Sequence, residues 1–328
     1  MTDVGRAFIT GVSGQDGSYL AERLLAEGVE VHALAHALEP MPDLPGVELH
    51  RGDLAAVDDV RSLLLDLAPD EVYNLAAMSS VARSWEEADL TARVNGLAAA
   101  GLLESALLAQ EKRGRPVRFV QASSAEIFGQ PDRSPQTEST PIRPVNPYGA
   151  AKAYAHLMVD VYRRRDLHAV SLILYNHESP RRPEQFVTRK ITSTVAAIAQ
   201  GRADHLALGN LDARRDWGWA PDYVDAMVRA ARAEQARDYV IATGVGHSVR
   251  DFVGAAFTRA GIAAWEPLVV VDPAFVRPAD PTELVGDATL ARVALDWSPT
   301  VDFDEIVGRM VDADLRAGPD LVSRRGDR

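Results

Sequence analysis

Residues 6–28 read Arg6-Ala7-Phe8-Ile9-Thr10-Gly11-Val12-Ser13-Gly14-Gln15-Asp16-Gly17 and then Ser18-Tyr19-Leu20-Ala21-Glu22-Arg23-Leu24-Leu25-Ala26-Glu27-Gly28, and this stretch decides the fold. Arg6–Thr10 is a short β-like run. Gly11, Gly14 and Gly17 form a GxxGxxG turn, and Ser18–Glu27 is an amphipathic helix closed by Gly28. Strand, glycine turn and helix together are the context a dinucleotide fingerprint needs. The glycines give a tight turn, close approach to a pyrophosphate and close helix–strand packing, with phosphate at the helix N-terminus. The competing reading is an ordinary tight βα turn.

The pattern continues outward. β-like runs at Val29–Leu34, Val47–His50, Glu71–Ala77, Val117–Gln121 and Val170–Leu174 alternate with helical ones at Asp58–Leu67, Leu90–Leu108 and Ala151–Tyr162. This predicts an α/β fold, a doubly wound parallel sheet of Rossmann type with ligands at the strands' carboxyl ends. After Pro180 the alternation breaks into helices at Thr188–Gln200, His247–Ala260 and Phe303–Leu315, with a late strand at Tyr239–Thr243. We expect a dinucleotide-binding domain over 1–180, with a return segment at about 210–245. A smaller, interleaved substrate lobe should cover 181–320, and a disordered tail 321–328.

Composition narrows the function. The chain has 328 residues, 47% hydrophobic and 25% charged, and a net charge of -12 with scattered Lys and Arg. No basic stripe for nucleic acid is present. There is no cysteine, so thiolate catalysis and disulfides are excluded. No apolar run approaches the ~20 residues of a membrane span. The N-terminus lacks a signal-peptide pattern, so a cytoplasmic location is expected. No metal site is expected.

A second cluster carries chemistry. The run ending Ser123-Ser124-Ala125 is followed by Glu126, and Tyr148 and Lys152 lie four residues apart further on. On a helix these two share a face. A Lys ammonium beside the phenol is expected to favour the phenolate, so that Tyr148 works as a base nearer neutral pH. Ser124, Glu126, Tyr148 and Lys152 thus form a proton-handling set. A surface Tyr and Lys at helical spacing is the bland alternative. Asp53 after the third run is either a partner for an adenine amino group or a helix N-cap.

With these motifs in place the chain resembles the extended short-chain dehydrogenase/reductases. GVSGQDGSYLAE, PDEVYNLAAMSSV, FVQASSAEIFG, NHESPRRPEQFVTRKI, LGNLDARRDWGWAPDYV and VIATGVGHSVRDF narrow this to a resemblance to the GDP-mannose 4,6-dehydratase family over nearly the whole chain. The resemblance implies a nucleotide-sugar 4,6-dehydratase, a hydro-lyase that recycles a bound NAD(P). It implies C4 oxidation, elimination of water across C5 and C6, and hydride return to C6. Tyr148 would take the C4 hydroxyl proton, Lys152 would hold the nicotinamide ribose, Ser124 (Thr in the family) would bind the C4 oxygen, and Glu126 would serve C5 and C6. It also implies cofactor contacts from Gly11, Gly14, Gln15, Asp16, Gly17, His36, Asp53, Leu54, Leu75, Ala76, Ala77, Tyr148, Lys152, His177 and Arg182. Nucleotide-sugar contacts would come from Ser84, Asn176, Glu178, Val187, Lys190, Leu208, Gly209, Arg215, Arg277 and Asp280. His36-Ala37 stands where the family has two arginines, and Asp280 where it has Glu. NADP is favoured slightly over NAD. By resemblance, helices 90–108 and 151–162 pair with those of a second copy as a four-helix bundle, giving a homodimer, with Leu103 and Leu107 as expected contact positions. A 4-epimerase or 4-ketoreductase, which needs no C5 base, and a catalytically silent NAD(P)-sensing protein are the competing functions.

Overall fold

The computed structural model describes residues 5–36, 41–275 and 283–317. Thirteen strands occur among them: β1 (Arg6–Thr10), β2 (Glu30–His36), β3 (Val47–Gly52), β4 (Glu71–Asn74), β5 (Arg118–Ser124), β6 (His168–Leu174), β7 (Asn176–Glu178), β8 (Leu206–Leu208), β9 (Arg214–Trp219), β10 (Asp238–Ile241), β11 (Gly246–Ser248), β12 (Val269–Val271) and β13 (Glu283–Leu284). Seven form one all-parallel sheet in the order β10-β6-β5-β4-β1-β2-β3. The central strands are buried on both faces, as a parallel sheet covered by helices requires. Helices Gln15–Ala26, Ala220–Arg232 and Thr289–Leu295 cover one face, and Val57–Leu67, Ala98–Arg113 and Pro147–Arg163 the other. The strand order reverses between β1 and β4, which opens a crevice at their carboxyl ends.

The expected tail, like Arg277 and Asp280, lies outside the described residues. Helices Val187–Ala199, Val249–Arg259 and Phe303–Ala317 pack on a separate core with Trp217, Phe252 and Met310. Two short strands extend the main crevice: β7 and β11 both pair with β9, so the segment after β6 is tied to the second half of the chain. Asp216, fully buried in β9, accepts hydrogen bonds from Thr243 N at 2.8 Å, Thr243 Oγ1 at 2.6 Å and Gly244 N at 2.8 Å. Its carboxylate therefore knits β9 to the turn that follows β10.

Three differences from the sequence reading bear on the site. Helix Ala220–Arg232 stands where none is expected; Pro221 fits its first turn, where the missing N–H costs nothing. The helix at Pro147–Arg163 starts a turn earlier than expected, because Asn146 caps it through Oδ1, accepting from Gly149 N at 2.7 Å. The long helix is interrupted: Ala88–Ala92 and Ala98–Arg113 flank a π-turn at Arg93–Leu97. That wider turn presents Asn95, whose amide brackets Met78, accepting from Met78 N at 2.8 Å and donating to Met78 O at 3.0 Å.

Leu103 and Leu107 correct the expected contact surface. Both are buried in this subunit's own core against the sheet. The exposed apolar residues of the two helices are instead Leu90, Leu97, Leu108, Tyr154, Leu157 and Val161. The heptad-like spacing of apolar residues cannot say which of two apolar faces a sheet covers. Among the described residues no helix is long and apolar enough to cross a membrane.

Candidate active site

The crevice is built from strand ends upward. Gly11 has a positive φ of 75°, and a Cβ there would fall 2.7 Å from Ala76 N. A Cβ on Gly17 would fall 2.2 Å from Gly11 O. The turn after β1 is thus pressed flat against Leu75 and Ala76, which only glycine permits. Gly14, at the N-cap, provides no side chain for the first helical turn, so that turn's N–H groups face the crevice as an anion cradle. These residues fit the diphosphate of a dinucleotide.

Gln15 and Asp16 point elsewhere. The Gln15 amide donates to His177 O at 3.0 Å, and its carbonyl accepts from Ser179 Oγ at 2.8 Å. Asp16 Oδ2 lies 2.8 Å from His177 Nε2, while His177 Nδ1 lies 2.7 Å from Tyr175 O. Burial opposes both charges. Even so, the His177 charge holds the Asp16 carboxyl below its usual range, and Asp16 raises the His177 imidazole. His177 also stacks on Tyr223, with ring centroids 4.4 Å apart. These side chains brace the first helix against β7, and what they offer the crevice is backbone.

Beneath the crevice runs a buried polar row. Thr10 Oγ1 donates to Asn74 Oδ1 at 2.7 Å, Asn74 Nδ2 to Gln121 Oε1 at 2.8 Å, and Gln121 Nε2 to Ala122 O at 3.0 Å. The same Ala122 carbonyl accepts from Lys152 Nζ at 2.8 Å. Tyr148 and Lys152 lie on the first two turns of the helix that starts at Pro147. Ser84, fully buried, accepts from Tyr148 N at 3.2 Å and donates to Val81 O at 2.7 Å, so it supports that first turn.

Ser124 ends β5 and Glu126 follows in a 3₁₀ turn. Ser124 Oγ accepts from Glu126 N at 3.2 Å and lies close enough to the Tyr148 phenol to influence its ionisation. Asn146 Nδ2 donates to Glu126 Oε2 at 2.8 Å. A Cβ on Gly149 would lie 2.5 Å from Glu126 O, so glycine is what lets the helix start sit on the Glu126 turn. Asn146 is the residue the sequence reading missed. The Asn-Pro start of a helix was a visible signal for its cap, but not for its hold on a carboxylate twenty positions away.

The expected easing of the Tyr148 phenol is overturned in the chain itself. Burial pushes the phenol up to about 12, Ser124 pulling the other way and the Glu126 charge adding to the rise. Lys152 Nζ is 5.8 Å from the ring centroid and is committed to Ala122 O. Burial also brings the Lys152 ammonium down to about 8, with the Asp16 charge opposing.

The remaining expected residues fall into groups. Lys190, Leu208 and Gly209 converge on the Pro273–Phe275 turn: Lys190 Nζ lies 3.5 Å from the Phe275 ring centroid, and a Cβ on Gly209 would meet Phe275 O at 2.5 Å. Burial lowers the Lys190 ammonium. Val187 opens the helix that carries Lys190. Asn176 on β7 and Arg215 on β9 lie in the same small sheet, Asn176 opposite Trp217. Glu178 is buried, accepts from Thr188 Oγ1 at 2.6 Å and pairs with Arg182 Nε at 3.4 Å, so it braces rather than faces the crevice. The Arg182 guanidinium sits 3.8 Å over the Phe186 ring. Leu54 is buried and Ala77 half-buried beside the crevice. His36 is exposed at the end of β2. Asp53 is neither a cap nor uncommitted: the helix starts at Val57, and Asp53 Oδ1 accepts from Ala55 N at 2.9 Å in the preceding turn.

A profile of the family described as GDP-mannose 4,6 dehydratase matches residues 8–310. Among curated proteins, GDP-mannose 4,6 dehydratase 2 of Arabidopsis thaliana is 44% identical, covering 94% of this chain and 86% of its own. GDP-mannose 4,6 dehydratase of Homo sapiens is 42% identical, covering 94% and 91%. Among solved structures, the UDP-glucose 4-epimerase of Thermus thermophilus in complex with NAD is 30% identical with a TM-score of 0.81, covering 94% and 98%. A putative epimerase from Burkholderia cenocepacia is 28% identical with a TM-score of 0.82, covering 95% and 98%.

Lys152 gives a pH test of this site. Its folded value of about 8 lies below the ordinary 10.5. Between those two the unfolded chain binds the extra proton, so folding gains stability as pH rises. Lys152→Met removes that gain. From pH 8 to 10.5 the unfolding free energy should rise in wild type relative to Lys152→Met by roughly 3 kcal/mol, at 1.36 per pH unit. Urea denaturation of both proteins measures it, and a difference that stays flat would contradict the buried placement.

Proposed function

This chain belongs to the GDP-mannose 4,6-dehydratase family and is a nucleotide-sugar 4,6-dehydratase with a nicotinamide cofactor, and we propose that its substrate is GDP-mannose and its cofactor NADP. The observation that carries the reading is Glu126, a carboxylate held by Asn146 at 2.8 Å on the turn that follows Ser124, next to Tyr148. An epimerase or ketoreductase needs the tyrosine and lysine but has no use for a carboxylate fixed there.

The roles follow from position. A nicotinamide held against the glycine turn and the Leu75–Ala76 strand end would supply the hydride chemistry at C4 and C6. Tyr148 receives the proton of the C4 hydroxyl, and Ser124, beside the phenol, orients that oxygen. Burial, with the Glu126 charge adding to it, raises the phenol, and Lys152, held by Ala122 O, would hold the nicotinamide ribose. Once C4 is a ketone the C5 proton is acidic. Glu126 takes it and delivers a proton to the C6 hydroxyl, which leaves as water, and a proton returns to C5 when the hydride is added at C6. Asn146 keeps Glu126 aimed at that edge.

The glycine turn over 11–17 and the strand end Leu75–Ala76 would hold the dinucleotide. Asn176, Val187, Lys190, Leu208, Gly209 and Arg215 would surround the nucleotide sugar, with Arg277 and Asp280 completing it, whereas the fully buried Ser84 supports the helix start instead. The division into a dinucleotide-binding domain over 1–180 and an interleaved lobe over 181–320 is part of this proposal, and the separate core around Trp217 supports it. With His36 in place of an arginine, discrimination for NADP over NAD should be weaker than in the family. A homodimer through the Ala98–Arg113 and Pro147–Arg163 helices is supported by their exposed Leu97, Leu157 and Val161.

Glu126→Gln tests the reading. Mixed with GDP-mannose, it should reduce its bound cofactor and stall, with loss of water, read by mass spectrometry, falling by at least about a hundredfold. The cofactor released on denaturing the same sample should be NADP(H). Water loss near the wild-type rate would sink the Glu126 role, and NAD(H) alone would overturn the cofactor preference. Tyr148→Phe should block cofactor reduction itself.

The dimer has its own check. Sedimentation velocity should show a wild-type dimer and a folded monomer when Leu157 and Val161 are both replaced by Asp. A monomeric wild type, or a doubly substituted chain that stays dimeric, would rule the interface out.

A further inference from the structure

At the other end of the sheet edge, three side chains converge that the reaction does not use. In the parallel pairing of β2 and β3, His32 stands opposite Glu48 and Leu34 opposite His50. With a side-chain period of two, His32, Glu48 and His50 share one face. His32 Nδ1 lies 3.0 Å from His50 Nε2 and 3.6 Å from Glu48 Oε2, and His50 Nε2 lies 3.9 Å from Glu48 Oε1. Bonds of about 2.0–2.1 Å to a tetrahedral Zn²⁺ set its donor atoms roughly 3.3 Å apart. The two ring nitrogens already stand near the spacing of two corners of such a tetrahedron, with a Glu48 oxygen within 3.9 Å of each and one donor atom from each of the three residues within 4.8 Å of the others.

The surroundings favour a ligand role for His32. Its ring is buried, and its other nitrogen, Nε2, lies 2.8 Å from Glu30 Oε1. Glu30 is anchored in turn, its Oε2 accepting from Arg6 at 3.0 Å. A carboxylate on one ring nitrogen places the proton there and leaves the other lone pair, Nδ1, facing His50 and Glu48. That is the usual support for a metal-binding imidazole. Access is open, because the His50 and Glu48 side chains are 21% and 65% exposed. Two imidazoles with one carboxylate suit Zn²⁺ among common divalent cations, whereas Mg²⁺ and Ca²⁺ take oxygen ligands throughout.

We propose that His32, His50 and Glu48 bind one zinc ion, with water in the fourth position and Glu30 orienting His32. The site is structural. His32 sits four residues before the carboxyl end of β2, about 13 Å along the strand at ~3.3 Å per residue, away from Tyr148 and Glu126. The ion clips edge strand β3 to β2, and β3 leads directly into Asp53 and Leu54 beside the crevice.

The test uses the full chain, freed of metal by a chelator, and reads metal binding rather than turnover. Calorimetric titration with Zn²⁺ should give one site per chain and raise the melting temperature. Co²⁺ in its place should give the intense visible absorption of a four-coordinate ion. Replacing Glu48 and His50 together by Ala should abolish both signals in a chain that still folds and unfolds cooperatively. Glu30→Ala should weaken Zn²⁺ binding roughly ten- to hundredfold. Binding equal in wild type and the doubly substituted chain, no Zn²⁺ binding, or a weak six-coordinate Co²⁺ spectrum would each overturn the proposal and leave a His32–His50 hydrogen-bonded pair only.

Discussion

The hydrogen-bonded row from Thr10 through Asn74 and Gln121 to the Ala122 carbonyl and Lys152 is the constraint that the rest of the crevice depends on. Every side chain in it is buried. A buried polar group left without a partner costs about 1–3 kcal/mol, so the row is satisfied only when β1, β4, β5 and the Pro147–Arg163 helix stand in one mutual register. Parallel neighbours β1, β4 and β5 bring the first three partners together at successive strand ends. Lys152 closes the row from the helix. A lysine of the crevice is in this way built into the sheet's own hydrogen-bond inventory.

The second constraint lies one turn earlier on the same helix. Asn146 spends its carbonyl on the helix cap and its amide on Glu126. Gly149 lets the two segments touch. The helix start therefore fixes the carboxylate, while its second turn fixes the lysine. Tyr148 lies between them on a turn supported by Ser84. Oxidation at one carbon and elimination at the next call for two proton-handling groups at a set separation, and a single rigid helix start supplies it.

Much of this was legible in the sequence. The glycine turn between a β-like and a helical run announced the sheet, and Tyr148 and Lys152 at i and i+4 announced a shared helical face. The rest was hidden because it is tertiary. Whether Leu103 faces the sheet or solvent depends on which side of the helix the sheet covers. The π-turn that presents Asn95 to Met78 has no residue signature beyond Gly96. Gln15 and Asp16 fit the fingerprint, but their side chains turn toward β7, a strand more than a hundred and fifty residues away. The direction of the Tyr148 shift reverses because burial, which local spacing does not report, outweighs the opposing pull of Ser124 and of the Arg182 charge. Arg277 and Asp280 lie beyond the described residues, so the base contacts they would make stay with the family resemblance.

The sequence of events assigned to these residues is tested most directly by following one hydrogen. GDP-mannose carrying deuterium at C4 is converted by the wild-type enzyme, and the product is analysed by mass spectrometry and NMR. The expected result is a product one water lighter with the deuterium at C6. Deuterium returned to C4 with inverted configuration and no loss of water would instead mark an epimerase, and would contradict a dehydratase role for the Glu126 carboxylate.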